Sequence, residues 1–199
     1  MNIIKLVIKM YMTLLTPIIA GIINSIFCSK TKVLKSLKRP IDMNKNFIDG
    51  KRIFGDNKTW KGLFGYIFFN VVICIILGIV FDILGINNMN FFYINHANTI
   101  EYNMLIGFLI GLFYALFELP NSFLKRRLDI TPGKTITGIK KIFFIILDQA
   151  DSVFGVALIV WLFYPLGIKK YIFYIFIGTL THLIINMLLY FAHIRKNMF

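Results

Sequence analysis

Apolar residues in this chain come in long blocks, with neither the strict alternation of a half-buried strand nor the narrow stripe of a surface helix. Near-uncharged runs cover residues 6–27, 62–84, 104–119, 142–166 and 171–191. A helix needs about 20 residues to cross a hydrocarbon core of roughly 30 Å. The pattern therefore predicts an all-α integral membrane protein with about five transmembrane helices. Lys9 and Pro17 interrupt the first run only mildly. No small-residue cleavage site stands out behind it, so it reads as a retained span rather than a signal peptide. No repeat or low-complexity tract appears, and residues 1–199 read as one polytopic membrane domain.

The polar segments between the runs alternate in charge. Segment 28–61 carries ten cations: Lys30, Lys32, Lys35, Lys38, Arg39, Lys45, Lys51, Arg52, Lys58 and Lys61. Segment 85–103 carries none, and 120–141 carries six: Lys125, Arg126, Arg127, Lys134, Lys140 and Lys141. Positive charge collects in cytoplasmic loops. Loops 28–61 and 120–141 and the C-terminus are therefore expected inside, with the N-terminus outside. Lys5 and Lys9 oppose this weakly.

Composition sharpens the picture in two ways. Hydrophobic residues make up 58% of the 199, too many for a soluble domain of that length. The formal net charge is +13, from 22 Lys+Arg against 9 Asp+Glu. Such an excess suits nucleic acid, anionic lipid or phosphorylated substrates, but in a membrane chain its first use is to set topology. No nucleic-acid partner is expected.

Candidate chemistry begins in the fourth run. Asp148 and Asp151 lie three residues apart and share a helix face, which Ser152 and Gly155 extend. An ionised group inside a membrane costs at least ~2.5–3.5 kcal/mol. Two together require compensation, either from neighbouring Lys or Arg in a structural pair or from a divalent metal. Carboxylate oxygens suit Mg2+, which keeps waters and bridges to phosphate. Glu118 is either a further ligand or an interfacial acid.

Two basic motifs face the same side. Ser122-Phe123-Leu124-Lys125-Arg126-Arg127 runs out of the third span, followed by Thr131-Pro132-Gly133-Lys134. Arg binds phosphate bidentately and Lys as a point charge. The other is Asp49-Gly50-Lys51-Arg52-Ile53-Phe54-Gly55-Asp56-Asn57-Lys58-Thr59-Trp60-Lys61-Gly62. Its glycines allow tight turns and close backbone approach, and Lys58 and Thr59 beside them suit a triphosphate. Trp60 suits a membrane interface.

Other signals are negative. Gly133-Lys134-Thr135 imitates the end of a P-loop, but position 128 is Leu and no strand precedes it. Cys28 and Cys74 have no metal or disulfide spacing. His96, His182 and His193 are scattered and read as structural, and Asp82 falls near the far end of the second span.

The ordered motifs resemble those of the CDP-archaeol synthases and, more distantly, the phosphatidate cytidylyltransferases. They are Pro40-Ile41-Asp42, the Asp49–Gly62 stretch, Glu118-Leu119-Pro120-Asn121-Ser122-Phe123-Leu124-Lys125-Arg126-Arg127, Pro132-Gly133-Lys134, and Leu147-Asp148-Gln149-Ala150-Asp151. Asp129 stands alone where the bacterial signature has a Lys-Asp pair, and no His follows Pro132-Gly133, which favours the short archaeal-type branch.

The resemblance implies a membrane nucleotidyltransferase that joins CTP to a lipid phosphate in the bilayer, releasing pyrophosphate. The archaeal 2,3-bis-O-geranylgeranylglycerol phosphate is the favoured lipid. It implies Mg2+ as cofactor, held by Asp148 and Asp151. Lys58, Lys125, Arg126, Asp148 and Asp151 become the catalytic set. Asp56, Lys58, Thr59, Lys61, Ser122, Lys125, Arg126, Arg127 and Lys134 become the residues that bind the phosphates of CTP or lipid. The active site is expected to face the cytoplasm from the cell membrane, and a homo-oligomer stays open. Rival readings are a phosphatidate cytidylyltransferase, a CTP-dependent lipid kinase, a small transporter using buried acids, and a non-catalytic adaptor with charge-paired Asp residues.

Overall fold

Each apolar run forms a helix, and most extend beyond the run that predicts them. The computed structural model describes residues 2–131 and 139–195. The helices are α1 (Ile3–Lys30), α2 (Trp60–Ile83), α3 (Ile100–Arg127), α4 (Ile139–Phe163) and α5 (Ile168–Phe191). All five are long and apolar enough to cross a membrane, and the chain is an all-helical, multi-pass membrane protein. Among the described residues the only extended pairing is two isolated bridges, Pro40 with Thr59 and Asn46 with Arg52.

The helices pack in chain order around a ring, α1 on α2, α2 on α3, α3 on α4 and α4 on α5, with α5 returning to α1. Lipid offers no hydrophobic force between helices, so small residues must let backbones approach. Gly107 and Gly111 of α3 do this against α2. A Cβ on either would lie 2.6 Å from a Cα of α2, that of Val71 or Ile67.

The two ends of the ring differ. One is plugged by the uncharged segment 84–99, which buries Phe91, Phe92 and Tyr93 against Leu6, Met10, Leu14, Ile106 and Val160. Its side chains are tied to α3 by an amide network in which Tyr93 donates to Asn103 at 2.7 Å and Asn103 donates to Asn98 at 2.7 Å. The buried residues of α1 run from Leu6 to Ala20, so its last third adds nothing to the core. The polar groups collect at that other end.

The largest departure from the sequence pattern is α3. It continues eight residues past 119, through Pro120, to Arg127. The start of the expected 120–141 loop is therefore helix. Pro120 removes one backbone hydrogen bond, but side chains from the long loop support the extension. Phe47 meets Phe123 edge-on at 5.1 Å, and Asp49 pairs with Arg127 at 2.6 Å. The helix ends where Asp129 takes φ +58 and Ile130 N–H bonds back to the Lys125 carbonyl at 3.0 Å.

Candidate active site

The site begins with the aspartates of α4. Their i,i+3 spacing turns both toward α3, where Asn121 meets them. The Asn121 amide nitrogen donates to Asp148 Oδ1 at 2.7 Å and to Asp151 Oδ2 at 2.8 Å. One turn further along α3, Lys125 forms an ion pair with Asp148. One turn back, Glu118 pairs with Lys58, the residue before the α2 cap. Thr59 supplies that cap, its hydroxyl accepting from Gly62 N–H at 3.1 Å. Three carboxylates, two ammonium groups and one amide thus meet where α3, α4 and the start of α2 converge. Burial alone would lower the Lys58 pKa, but Glu118, then Asp151 and Asp148, more than offset it and hold it raised. Lys58 stays charged.

The donor set fits a hard divalent cation. Asp148, Asp151 and Glu118 are oxygen donors. Two buried oxygens beside them are unsatisfied, Asn121 Oδ1 on the bridging amide and Ser152 Oγ next to Asp151. Buried polar atoms are nearly always partnered, and Asn121 Oδ1 would face an ion shared by the two aspartates once the amide turns over, since its nitrogen now points at both. As the side chains stand, Lys125 and Asn121 occupy the carboxylates, and no three His, Cys, Asp or Glu residues form a ready metal cage among the described residues.

Against this cluster lies the folded segment 39–59. Its hub is Asp42, whose side chain is wholly buried. It accepts from Arg52 at 2.7 Å and from the backbone N–H groups of Gly55, Phe54 and Asn44 at 2.8, 3.0 and 3.1 Å. Burial pushes the Asp42 carboxyl up, but Arg52 and these N–H donors overcome that and hold it down at about 2. Gly55 turns the chain with φ +94.

Arg126 looks onto this segment. It is 8% exposed, its Nε has no partner, and it forms no ion pair among the described residues. Arg52 and Arg127 lie within electrostatic reach of it. A buried guanidinium with no ion-pair partner among the described residues, near two more guanidinium groups and only the Asp56 carboxylate, suits an anion.

Other sequence candidates are placed as follows. Arg127 forms an ion pair with Asp49 at 2.6 Å and donates from Nη2 to the Arg52 carbonyl at 2.6 Å, while its buried Nη1 has no partner. Asp56 is exposed and pairs with Arg52 at 3.0 Å. Ser122 is half-buried beside Asn121. Lys61 stands apart. It is 2% exposed, donates to the Thr31 carbonyl at 3.0 Å and lies 4.2 Å from the Phe27 ring, fastening α1 to α2. Asp129 pairs with Lys51 at 2.7 Å, and Asp82 accepts from Asn87 at 2.9 Å. Lys134 lies outside the described residues. Asn121 and Asp42 carry no assigned role in the sequence reading. The signal for Asn121 was its place one turn before Lys125 on the same helical face.

A five-helix bundle long and apolar enough to cross a membrane, with two carboxylates on one helix face and two half-buried lysines beside them at one end, defines a class of multi-pass membrane protein with a charged site. The family described as CarS-like, CDP-archaeol synthase, matches residues 3–199. The chain is 31% identical over 192 residues to a CDP-archaeol synthase of Methanococcus aeolicus, covering 96% of this chain and 95% of the relative. It is 28% identical over 151 residues to one of Methanocaldococcus jannaschii, covering 76% and 78%. A solved structure described as an intramembrane enzyme for archaeal membrane lipids biosynthesis shares the fold. The TM-score is 0.55 at 24% identity, over 85% of this chain and 92% of that one. The chain belongs to the CDP-archaeol synthase family.

Proposed function

We propose that this protein transfers CMP from CTP to an archaeal lipid phosphate, 2,3-bis-O-geranylgeranylglycerol phosphate, giving the CDP-lipid and pyrophosphate. The observation that carries the reading is the convergence of Asp148 and Asp151 on Asn121 beside Lys58 and Lys125, with Arg126, the residue after Lys125, near Arg52 and Arg127. Family membership supports it independently.

A lipid phosphate oxygen attacks the α-phosphorus of CTP in line. One P–O bond forms, the α–β bridge breaks, and pyrophosphate leaves with the electron pair. The attacking oxygen is already anionic, so no general base is needed. The protein positions the phosphates and offsets their charge. Lys58, Lys125 and Arg126 hold phosphate oxygens, with Asp56, Thr59, Ser122 and Arg127 around them. Asp148 and Asp151, with Asn121 Oδ1, are the residues that would hold Mg2+, which neutralises phosphate charge when bound. Segment 28–61 and the C-terminus face the cytoplasm, the source of CTP, and the N-terminus lies outside, in keeping with the loop charges.

The test is incubation of purified protein with labelled CTP, Mg2+ and either the archaeal lipid phosphate or phosphatidate. CDP-lipid plus pyrophosphate is expected, with preference for the isoprenoid ether. CDP as the nucleotide product would instead indicate a lipid kinase, and absence of turnover with either lipid would contradict the reading.

A further inference from the structure

We infer that His182 and Asn186 of α5 are positioning residues that fix the α4 helix so that Asp148 and Asp151 face the reaction centre. The inference rests on the function proposed above. No α5 side chain takes part in the carboxylate cluster, yet α5 holds the residue lying between the two aspartates. His182 Nδ1 lies 3.0 Å from the Gln149 carbonyl oxygen. Asn186 donates from Nδ2 to Gln149 Oε1 at 2.5 Å. Gln149 is 3% and Asn186 4% exposed. Gln149 is thus gripped at both backbone and side chain.

The second ring nitrogen extends the grip to α3. A carbonyl only accepts, so Nδ1 carries the proton and Nε2 accepts from the Tyr114 hydroxyl at 3.2 Å. Tyr114 sits one turn before Glu118 and stacks on Tyr66 of α2 with centroids 4.0 Å apart. Tyr66 donates to the Pro17 carbonyl of α1 at 3.1 Å. All five helices meet in this layer, directly beneath the acids.

Steric fit closes α4 from both sides one to two turns further along the helix. A Cβ on Gly155 would lie 2.4 Å from the Phe113 carbonyl oxygen on α3, and one on Gly178 of α5 would lie 2.5 Å from Val153 Cγ1. Rotation or sliding of α4 therefore meets α3 on one side and α5 on the other. Groups that hold metal-binding side chains in place commonly cost 10–100-fold in metal affinity or activity when removed.

The test compares wild type with His182→Phe, His182→Asn, Asn186→Leu, Gly178→Ala and Gly178→Ala/Val153→Ala, purified in detergent. Melting temperature, Mg2+ dissociation constant by calorimetry without substrate, and kcat and KM for CTP are measured on each. His182→Phe and Asn186→Leu are expected to lower kcat by about 10-fold or more and to weaken Mg2+ by a similar factor, with KM for CTP little changed. His182→Asn keeps a donor where Nδ1 lies and should recover most of the loss. Gly178→Ala should imitate His182→Phe, and Val153→Ala should relieve it in the double variant. Melting temperatures that fall while kcat and Mg2+ affinity stay at wild-type values would overturn the inference. So would His182→Asn matching His182→Phe. If His182→Phe does not fold, the Gly178 pair decides. If the wild type binds Mg2+ but does not turn over CTP, the proposed function fails while the Mg2+ titrations still decide positioning. A wild type that does neither overturns both.

Discussion

Lys58 and Glu118, sixty positions apart in the chain, form an ion pair where the long basic segment meets the bundle. The pair ties the residue before the α2 cap to an acid of α3 beside the aspartates. It also holds the cation proposed to bind phosphate among three carboxylates. Lys58→Met should therefore reduce CTP turnover by about 10-fold or more, as loss of one charge-stabilising contact does. Lys32 and Lys35 are exposed and make no ion pair among the described residues. Alanine at either should leave steady-state turnover near wild type. Equal, mild losses at all three positions would indicate diffuse electrostatics without a defined phosphate site.

Lys125 occupies an oxygen of Asp148 that a divalent cation would take. Two opposite effects should follow from Lys125→Met. Mg2+ should bind more tightly without nucleotide, because a competing cation is gone, and CTP should bind more weakly. Calorimetric titration of each ligand separately checks both signs. Weakening of both would mean that Lys125 supports the carboxylates and does not compete for them.

Asp42 makes the basic segment sensitive to acid. Its folded pKa, about 2, lies below the ordinary 3.8, so its contribution is complete above about pH 4 and is lost as pH falls toward 2. Limited proteolysis or hydrogen exchange of residues 42–56 should show protection from pH 7 down to about 4 and progressive loss between about 4 and 2. Asp42→Asn should lose this protection at pH 7, with turnover reduced because Gly55 and Arg52 are no longer held. Protection that does not change across this range would contradict the hub role.

Loop charge predicts sidedness. Cysteine placed at Asn46 should be shielded from an impermeant thiol reagent in intact cells, and cysteine at Asn95 should react. The reverse pattern would invert the topology and move the site away from cytoplasmic CTP.

The helices were legible because blocks of apolar residues near bilayer length have few other uses. Asp148 and Asp151 were legible because charge inside such a block is expensive. The end of α3 was not, since Pro120 and three cations look like a loop, and only tertiary contacts from Phe47 and Asp49 keep it helical. Lys61 was indistinguishable from Lys58 in a basic motif. One turn of α2 separates a cation beside carboxylates from one closing a helix–helix contact on Thr31. Asn121 and Asp42 show no charge excess or periodicity of their own. Their roles depend on partners 27 and 30 residues away for Asn121, and on a reverse turn for Asp42.

The most direct measurement is CTP turnover and melting temperature on the same preparations of Asp148→Asn and Asp151→Asn. The amide keeps the shape, removes a negative charge, and is less costly to bury. The account predicts well-folded, inserted protein with CDP-lipid formation abolished. If Asp148 instead only balances Lys125, Asp148→Asn breaks that ion pair at a cost of up to about 3–5 kcal/mol, while Lys58 keeps Glu118. The melting temperature would then fall. Stable protein with unchanged turnover would contradict the assignment of the aspartates to the reaction centre.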